Sequence, residues 1–414
     1  MEKVDQLDRQ ADKQGWGNAQ APTADRSRSA MNDRSAQLNQ RYRRNKARRQ
    51  ILAEQLYGAS QYQLMRVKFK KHRVAMLSLY LLGIFYFVAI FAEFMVPYTT
   101  TQRFEEAIYA SPTQIHLFDA EGKLTTPFFY SSKSKIDTAT FRYEPVIDDA
   151  ATVNRIQFFA QGEPYKVLGI IPLNRRLYAV EGEQPLFLLG ADQLGRDLLS
   201  RIIYASRVSL FVGFGGVIIS FFLGILLGGI SGFAGGVVDV VIQRLIELLM
   251  SIPQIPLWLA LSAAIPTEWT GIQTYFAITL VLSLVGWTGL ARVVRGKILS
   301  LREEDYVTAA RISSASNMAI IFRHLLPGIT SYLVVHVTIS IPYMILGETT
   351  LSFLGLGIRA PDVSWGTLLQ QAQDVVVITN YPWLLLPAVF VVAAVILFNF
   401  IGDGLRDAAD PYAR

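Results

Sequence analysis

The chain has 414 residues, 51% hydrophobic and 17% charged, with no cysteine. Soluble domains carry about 25% charged residues, so the balance argues against a soluble globular protein. The missing thiols exclude disulfides, cysteine nucleophiles and thiolate metal sites. Mean hydropathy is +0.31, and the apolar excess falls in runs of about 20 residues, long enough to span a hydrocarbon layer of about 30 Å.

Residues 1–50 are rich in Gln, Asn, Ser, Asp and Arg and read as a disordered cytoplasmic tail. Residues 51–73 mix apolar and basic positions, which suits an interfacial helix lying on membrane lipid. Up to residue 73 the chain carries 17 Lys or Arg against 7 Asp or Glu, whereas 98–188 carries 9 against 11. Positive residues accumulate on the cytoplasmic side, so the N-terminus is expected there. No nucleic-acid recognition motif accompanies these basic residues. The first apolar run, 74–97, begins near Val74, too late for a cleavable signal peptide. Residues 98–188 read as an extracytoplasmic loop or lobe. Its short runs Lys166–Ile171 and Leu177–Val180, bounded by Gly, Pro and Asn, predict some β character.

Five further spans are expected at 208–231, 240–264, 275–296, 329–353 and 383–402, the third interrupted by Pro253 and Pro256. The fold class predicted is therefore an all-α integral membrane protein with six transmembrane helices and a small β-containing lobe. An even number of spans returns the C-terminus, with a tail at 408–414, to the cytoplasm. The 291–328 loop then lies inside, in keeping with Arg292, Arg295, Lys297, Arg302, Arg311 and Arg323, while 354–382 holds only Arg359 as a Lys or Arg.

The second span places small residues at every fourth position: Gly216, Ser220, Gly224, Gly228 and Gly232. They form one ridge against which a neighbouring helix, of this chain or of another subunit, packs closely or slides. In the third span Arg244 and Glu247 sit three apart and pair on one face. Asp192, Arg196 and Asp197 are expected to cap and orient the helix that enters the second span. Glu348, a carboxylate in an apolar run, needs a hydrogen-bond partner or a cavity; gating and structural bonding both remain open for it.

The segment Asp305–Ile329 is basic, mixed in polarity and broken in the middle, although it separates two apolar runs. Its first helix carries Tyr306, Val307, Ala309, Ala310 and Ile312, with Glu303, Glu304 and Asp305 favouring its N-terminus. Ala309 and Ala310 offer a flat patch to a partner. Ser316 is a suitable N-cap for the second piece, in which Met318, Ile321, Phe322 and Leu325 share one apolar face; Pro327 ends it.

This segment resembles the coupling loop of bacterial ABC importer permeases, where Glu-Ala-Ala, three residues, Gly and a later Leu-Pro recur. The matching positions are Thr308-Ala309-Ala310, Ser314 and Leu326-Pro327. Thr308 replaces the family's Glu. Ser314 replaces a Gly that favours a positive-φ turn. Leu189–Leu210, Leu346–Gly357 with Pro361 and Ser364-Trp365-Gly366, and Phe398–Pro411 resemble stretches of the oligopeptide/dipeptide/nickel subfamily, second-permease type. The resemblance implies a type I ABC importer permease core over 189–407 with a coupling loop at 302–328. Within the loop, Tyr306, Thr308, Ala309, Ala310, Arg311, Ser314, Ala315, Arg323 and Pro327 would meet an ATPase. It further implies a homologous second permease, two ABC ATPase subunits holding ATP and Mg, and an extracytoplasmic solute-binding protein. Peptides are the implied substrate, with oligosaccharides, opine-like compounds or nickel as alternatives.

The chain itself has no P-loop: Arg295-Gly296-Lys297 lacks the upstream Gly, and Ile298 stands where Ser or Thr is needed. His72, His116, His324 and His336 show no ligand spacing, so no bound cofactor or metal and no catalytic residue are expected. An ion-gradient-driven secondary transporter is the competing reading. It would need acidic relays across several spans, and Glu247 and Glu348 supply few. A membrane sensor would not need a broken loop.

Overall fold

The computed structural model describes residues 61–119, 121–138, 142–147, 153–181 and 184–409. The expected disordered tail at 1–50, the first half of the interfacial helix and most of the C-terminal tail lie outside these. In chain order the helices are α1 Gln61–Lys71, α2 Arg73–Ile90, α3 Ala92–Met95, α4 Leu198–Ala234, α5 Gly236–Ser251, α6 Gln254–Ala263, α7 Gly271–Leu301, α8 Asp305–Ile312, α9 Leu326–Phe353, α10 Trp365–Gln370, α11 Val375–Asn380 and α12 Leu386–Ala409. Among the described residues five helical runs are long and apolar enough to cross a membrane, and α5 with α6, bent by 87°, makes six if the pair is one broken span. The bend falls at Ser251–Pro253, where Pro253 and Pro256 lack the amide hydrogens that a straight helix needs.

Between α3 and α4 lies the lobe. Strands β1 His116–Phe118, β2 Leu124–Tyr130, β5 Val153–Phe158 and β8 Tyr178–Glu181 form an antiparallel sheet in the order β1-β2-β5-β8. Phe129, Ile156, Tyr178 and Leu186 make its small core. β3 Ser132–Ile136 with β4 Tyr143–Ile147, and β6 Gln161–Val167 with β7 Ile171–Arg175, are separate hairpins. The run Lys166–Ile171 is thus not one strand. Leu168 and Gly169 take φ of 51° and 73° and turn the chain so that Val167 faces Ile171.

The small-residue ridge of α4 is filled by α7 and α9 of the same chain, so no other subunit is needed to cover it. A Cβ on Gly228 would stand 2.5 Å from the carbonyl oxygen of Ala291, one on Gly224 would stand 2.9 Å from Leu290, and one on Gly232 2.8 Å from the Arg295 oxygen. Gly216 meets Met344 of α9, and Ser220 Oγ donates to the Ser283 carbonyl at 3.2 Å. The resulting core joins Leu210 of α4, Ile278 and Leu282 of α7, Ile345 of α9, Trp365 of α10 and Phe398 of α12. The α2–α3 arm is tied to this core by Arg207 of α4. Its guanidinium grips both carboxylate oxygens of Glu93 at 2.8 Å and donates to the carbonyls of Ala89 and Ile90, each at 3.0 Å.

Replacing Gly228 with Ala improves helix propensity by up to about 1 kcal/mol, but the clash with immovable backbone outweighs it, since overpacking costs about 1–3 kcal/mol. Gly228→Ala should lower the thermal midpoint of the detergent-solubilised protein. Gly296→Ala, where a Cβ meets nothing within 4 Å, should leave it unchanged or raise it.

Candidate functional site: the loop between α7 and α9

The loop starts at the end of α7, where Arg295 holds the Asp239 carboxylate through two guanidinium nitrogens and Ser231 donates to the same carboxylate. Arg302 Nη1 donates to the Gly232 carbonyl at 3.2 Å. The base of the loop is thereby fixed to α4 and α5. α8 follows and buries Val307 and Ala310 against Ile298, Ile320, Ile321 and Leu325. Arg311 lies over the Phe233 ring, 5.1 Å from its centre.

This orientation corrects the expected Ala309–Ala310 patch. Val307 and Ala310 are three apart and share the inward face, so Ala310 is a packing residue. The outward face consists of Tyr306, Thr308, Ala309 and Ile312, the last 80% exposed. Ser314 then adopts φ 60°, the left-handed region that disfavours a side chain bearing Cβ. Its amide donates to the Arg311 carbonyl, and the amide of Ala315 to that of Ala310.

Ser316 caps the second piece by accepting from the Ala319 amide at 3.2 Å. Residues Ile320–Leu325 form a π-helical turn. Its wider turn changes which residues share a face. Ile320, Ile321 and Leu325 are buried, while Met318 and Phe322 remain exposed beside Arg323 and His324. The predicted Met318/Ile321/Phe322/Leu325 stripe is therefore split between inside and outside. Nor does Pro327 end the piece: it follows directly on the π-helical turn, and the helical run continues through it into α9.

Glu348 is fully buried in α9, its carboxylate accepting from Ser209 Oγ of α4 at 3.1 Å and Ser352 Oγ at 2.7 Å. Ser209 Oγ in turn accepts from the Trp365 amide and Ser352 Oγ from the Ile358 amide. This node pins the stretch between α9 and α10, which includes the cis Ala360–Pro361 bond, to the bundle. The bonds are internal to the chain. Ser209 was not legible as a partner because it lies 139 positions away; Ser352, at the i,i+4 spacing of one helix, was within local reach, and Trp365 joins the node only through Ser209.

At the lobe end of α4, Asp192 accepts from the amides of Leu194 and Arg196 and from the guanidinium of Arg196, and it also pairs with Arg201. Asp197 is the N-cap and accepts from the Ser200 amide at 2.7 Å. Burial, with Asp192 nearby, pushes the Asp197 carboxyl up to about 6.

Two open clefts flank α9. One of about 880 Å³ is lined by Lys297, Ser300, Tyr332, His336 and Arg406 near the loop. The other, about 560 Å³, is lined by Gln254, Trp258, Thr288, His336 and Tyr343. Gln254 and Trp258 come from α6. Among the described residues no group of three His, Asp or Glu is placed to hold a metal. His72 caps α2 and His116 stacks on Phe128.

A bundle of helices long and apolar enough to span a membrane, with a bihelical loop held at one end, is the architecture of a multi-pass membrane protein. Residues 224–414 match the family described as binding-protein-dependent transport system inner membrane component, and residues 60–112 match the N-terminal TM domain of oligopeptide transport permease C. The chain is 37% identical over 225 residues to the dipeptide transport system permease protein DppC of Bacillus subtilis (strain 168), covering 54% of this chain and 68% of that one. It is 40% identical over 226 residues to the oligopeptide transport system permease protein OppC of Haemophilus influenzae, covering 54% and 70%. An inward-facing structure of the MetNI methionine ABC transporter is similar at 18% identity and TM-score 0.41, over 51% of this chain and 98% of that one. The chain belongs to the family of binding-protein-dependent inner-membrane transport components and is an ABC importer permease, not itself an enzyme. The gradient-driven alternative falls with that membership.

Ser314→Gly should relieve left-handed strain worth about 1 kcal/mol, partly offset by glycine's larger unfolded-state entropy; a higher unfolding midpoint for Ser314→Gly and a lower one for Ser314→Val check this. The Asp197 carboxyl lies above its ordinary value, so the stability it contributes is complete below pH 4 and lost as pH rises through about 6. Asp197→Asn keeps a capping oxygen. Its stability advantage should grow between pH 4 and 7 toward a ceiling of about 3 kcal/mol, read by thermal denaturation at each pH.

Proposed function

We propose that this chain is the second-type permease of an importer for peptides, delivered by an extracytoplasmic binding protein and driven by two ATPase subunits that hold ATP and Mg. A homologous second permease would complete the path, and the clefts around His336 and Trp258 would form this chain's share of it. Both termini would lie on the cytoplasmic side of a bacterial inner membrane. The dipeptide and oligopeptide transport names of the relatives support the substrate class.

The observation that carries the coupling role is the outward face of the loop. Tyr306, Ile312, Met318 and Phe322 are large apolar side chains left exposed on a segment whose other side is packed against α4 and α7. Apolar exposure of this kind, rimmed by Arg311 and Arg323, marks a protein contact. Closure of the ATPase pair would press on this face. The fixed base at Asp239–Arg295 and Arg302 would then pass the displacement through α7 to α4 and α5.

Ile312→Asp tests the docking role without touching the buried side. The variant should reach the membrane normally but lose co-purifying ATPase and at least about tenfold of its peptide uptake, the effect of placing one charge in a contact. Wild-type uptake and ATPase recovery would overturn the assignment. Ala310→Glu is a poorer probe because it would break the loop's own packing.

A further inference from the structure

The lobe carries an apolar turn that its own core does not use. Hairpin β6–β7 reverses at Leu168 and Gly169, with Val167 facing Ile171. Val167 is buried, but Leu168, Ile170 and Ile171 are 49%, 78% and 56% exposed. None of the three belongs to the cluster of Phe129, Ile156, Tyr178 and Leu186 that fills the lobe. Lys166 and Arg175, on the two strands of the same hairpin, are exposed as well.

The depth of this turn follows from the first span. From Val74 to Ala92 the sequence holds 19 residues without a charge, between Arg73 and Glu93. At 1.5 Å per residue they reach about 28 Å, which only just matches a hydrocarbon layer of about 30 Å. The span has no length to spare, so Glu93 stands at the lipid boundary on the lobe side. A second span agrees. Arg207, which grips Glu93, is the last charged residue of α4, and the apolar run begins at Val208.

The hairpin comes down to that level. Near its base the Phe159 ring lies 6.3 Å from that of Phe94, and Arg176 donates to the carbonyls of Val96 and Pro97. At its turn the Leu168 amide donates to the Glu93 carboxylate. The turn is thus the part of the hairpin nearest the lipid. It meets the point where the exposed flank of α2, with Leu77, Ile84 and Phe87, comes to an end. Aromatic rings such as Phe94 and Phe159 favour this boundary. Apolar side chains placed there, with basic ones just behind, enter the headgroup region: the former seek the acyl layer and the latter the phosphates. A soluble partner would have to push into the headgroups to reach them.

We infer that the β6–β7 turn, Leu168–Ile171, dips into the phospholipid leaflet on the lobe side and is a shallow lipid anchor that holds the lobe against the membrane.

The test uses the complete transporter in vesicles of phosphatidylethanolamine and phosphatidylglycerol. The chain has no cysteine, so Ile170→Cys and, separately, Ile171→Cys each accept a single polarity-sensitive fluorophore; the wild-type transporter, labelled in parallel, supplies the background. A nitroxide carried near the headgroup end of the lipid acyl chain should quench both positions more than aqueous iodide does. Their emission should lie to the blue of a probe at Glu121→Cys, in the polar turn between β1 and β2 where Glu121 pairs with Lys123, and there iodide should be the stronger quencher. Stronger quenching by iodide at 170 and 171 would put the turn in water. Protection from both quenchers would put it against another protein. Either result overturns the anchor.

Discussion

Close packing of α4 on α7 is the constraint on which the rest of the structure depends. In lipid no hydrophobic force drives one helix onto another, so association relies on dispersion contacts and interhelical hydrogen bonds. Gly224, Gly228 and Gly232 let the α4 backbone approach Leu290, Ala291 and Arg295 so closely that a methyl group has no room. Ser220 and Ser283 add hydrogen bonds along the same seam. That approach brings Asp239 and Arg302 into position to hold the start of the loop, and Ser209 within reach of Glu348.

Polar groups are then placed where the chain must be fixed rather than where it must slide. Buried ionic groups are costly unless every bond is made. The Asp192 carboxylate is saturated by two amides and two guanidinium groups. Arg207 does the same service for the first arm. These nodes hold the lobe end, while the opposite end presents a loop with apolar side chains turned outward.

The spans were legible because about twenty apolar residues suffice to declare one. Their ends were not. The apolar run at 208–231 marked only the middle of α4, which begins at Leu198 behind the expected cap Asp197; Arg201 and Arg207 look like loop residues until Asp192 and Glu93 are seen to neutralise them. The prolines at 253 and 256 announced an interruption but not an 87° bend. In the loop, Ser316 was readable as a cap because capping is local, and Ser314 drew notice through its place in the motif. The inward turn of Ala310 and the outward turn of Met318 and Phe322 were hidden. A count at 3.6 residues per turn does not foresee a π-helical turn at Ile320–Leu325.

That turn has a mechanical consequence. From Asn317 to Phe353 the chain is helical over 37 residues, about 55 Å at 1.5 Å per residue. Its near end belongs to the exposed loop and its far end bears Glu348, fastened to the stretch before α10. The π-helical turn and, further along, Pro342 are the two places where the i to i−4 hydrogen-bond ladder is broken. Bending between the loop and Glu348 would concentrate at those two points rather than spread along the rod.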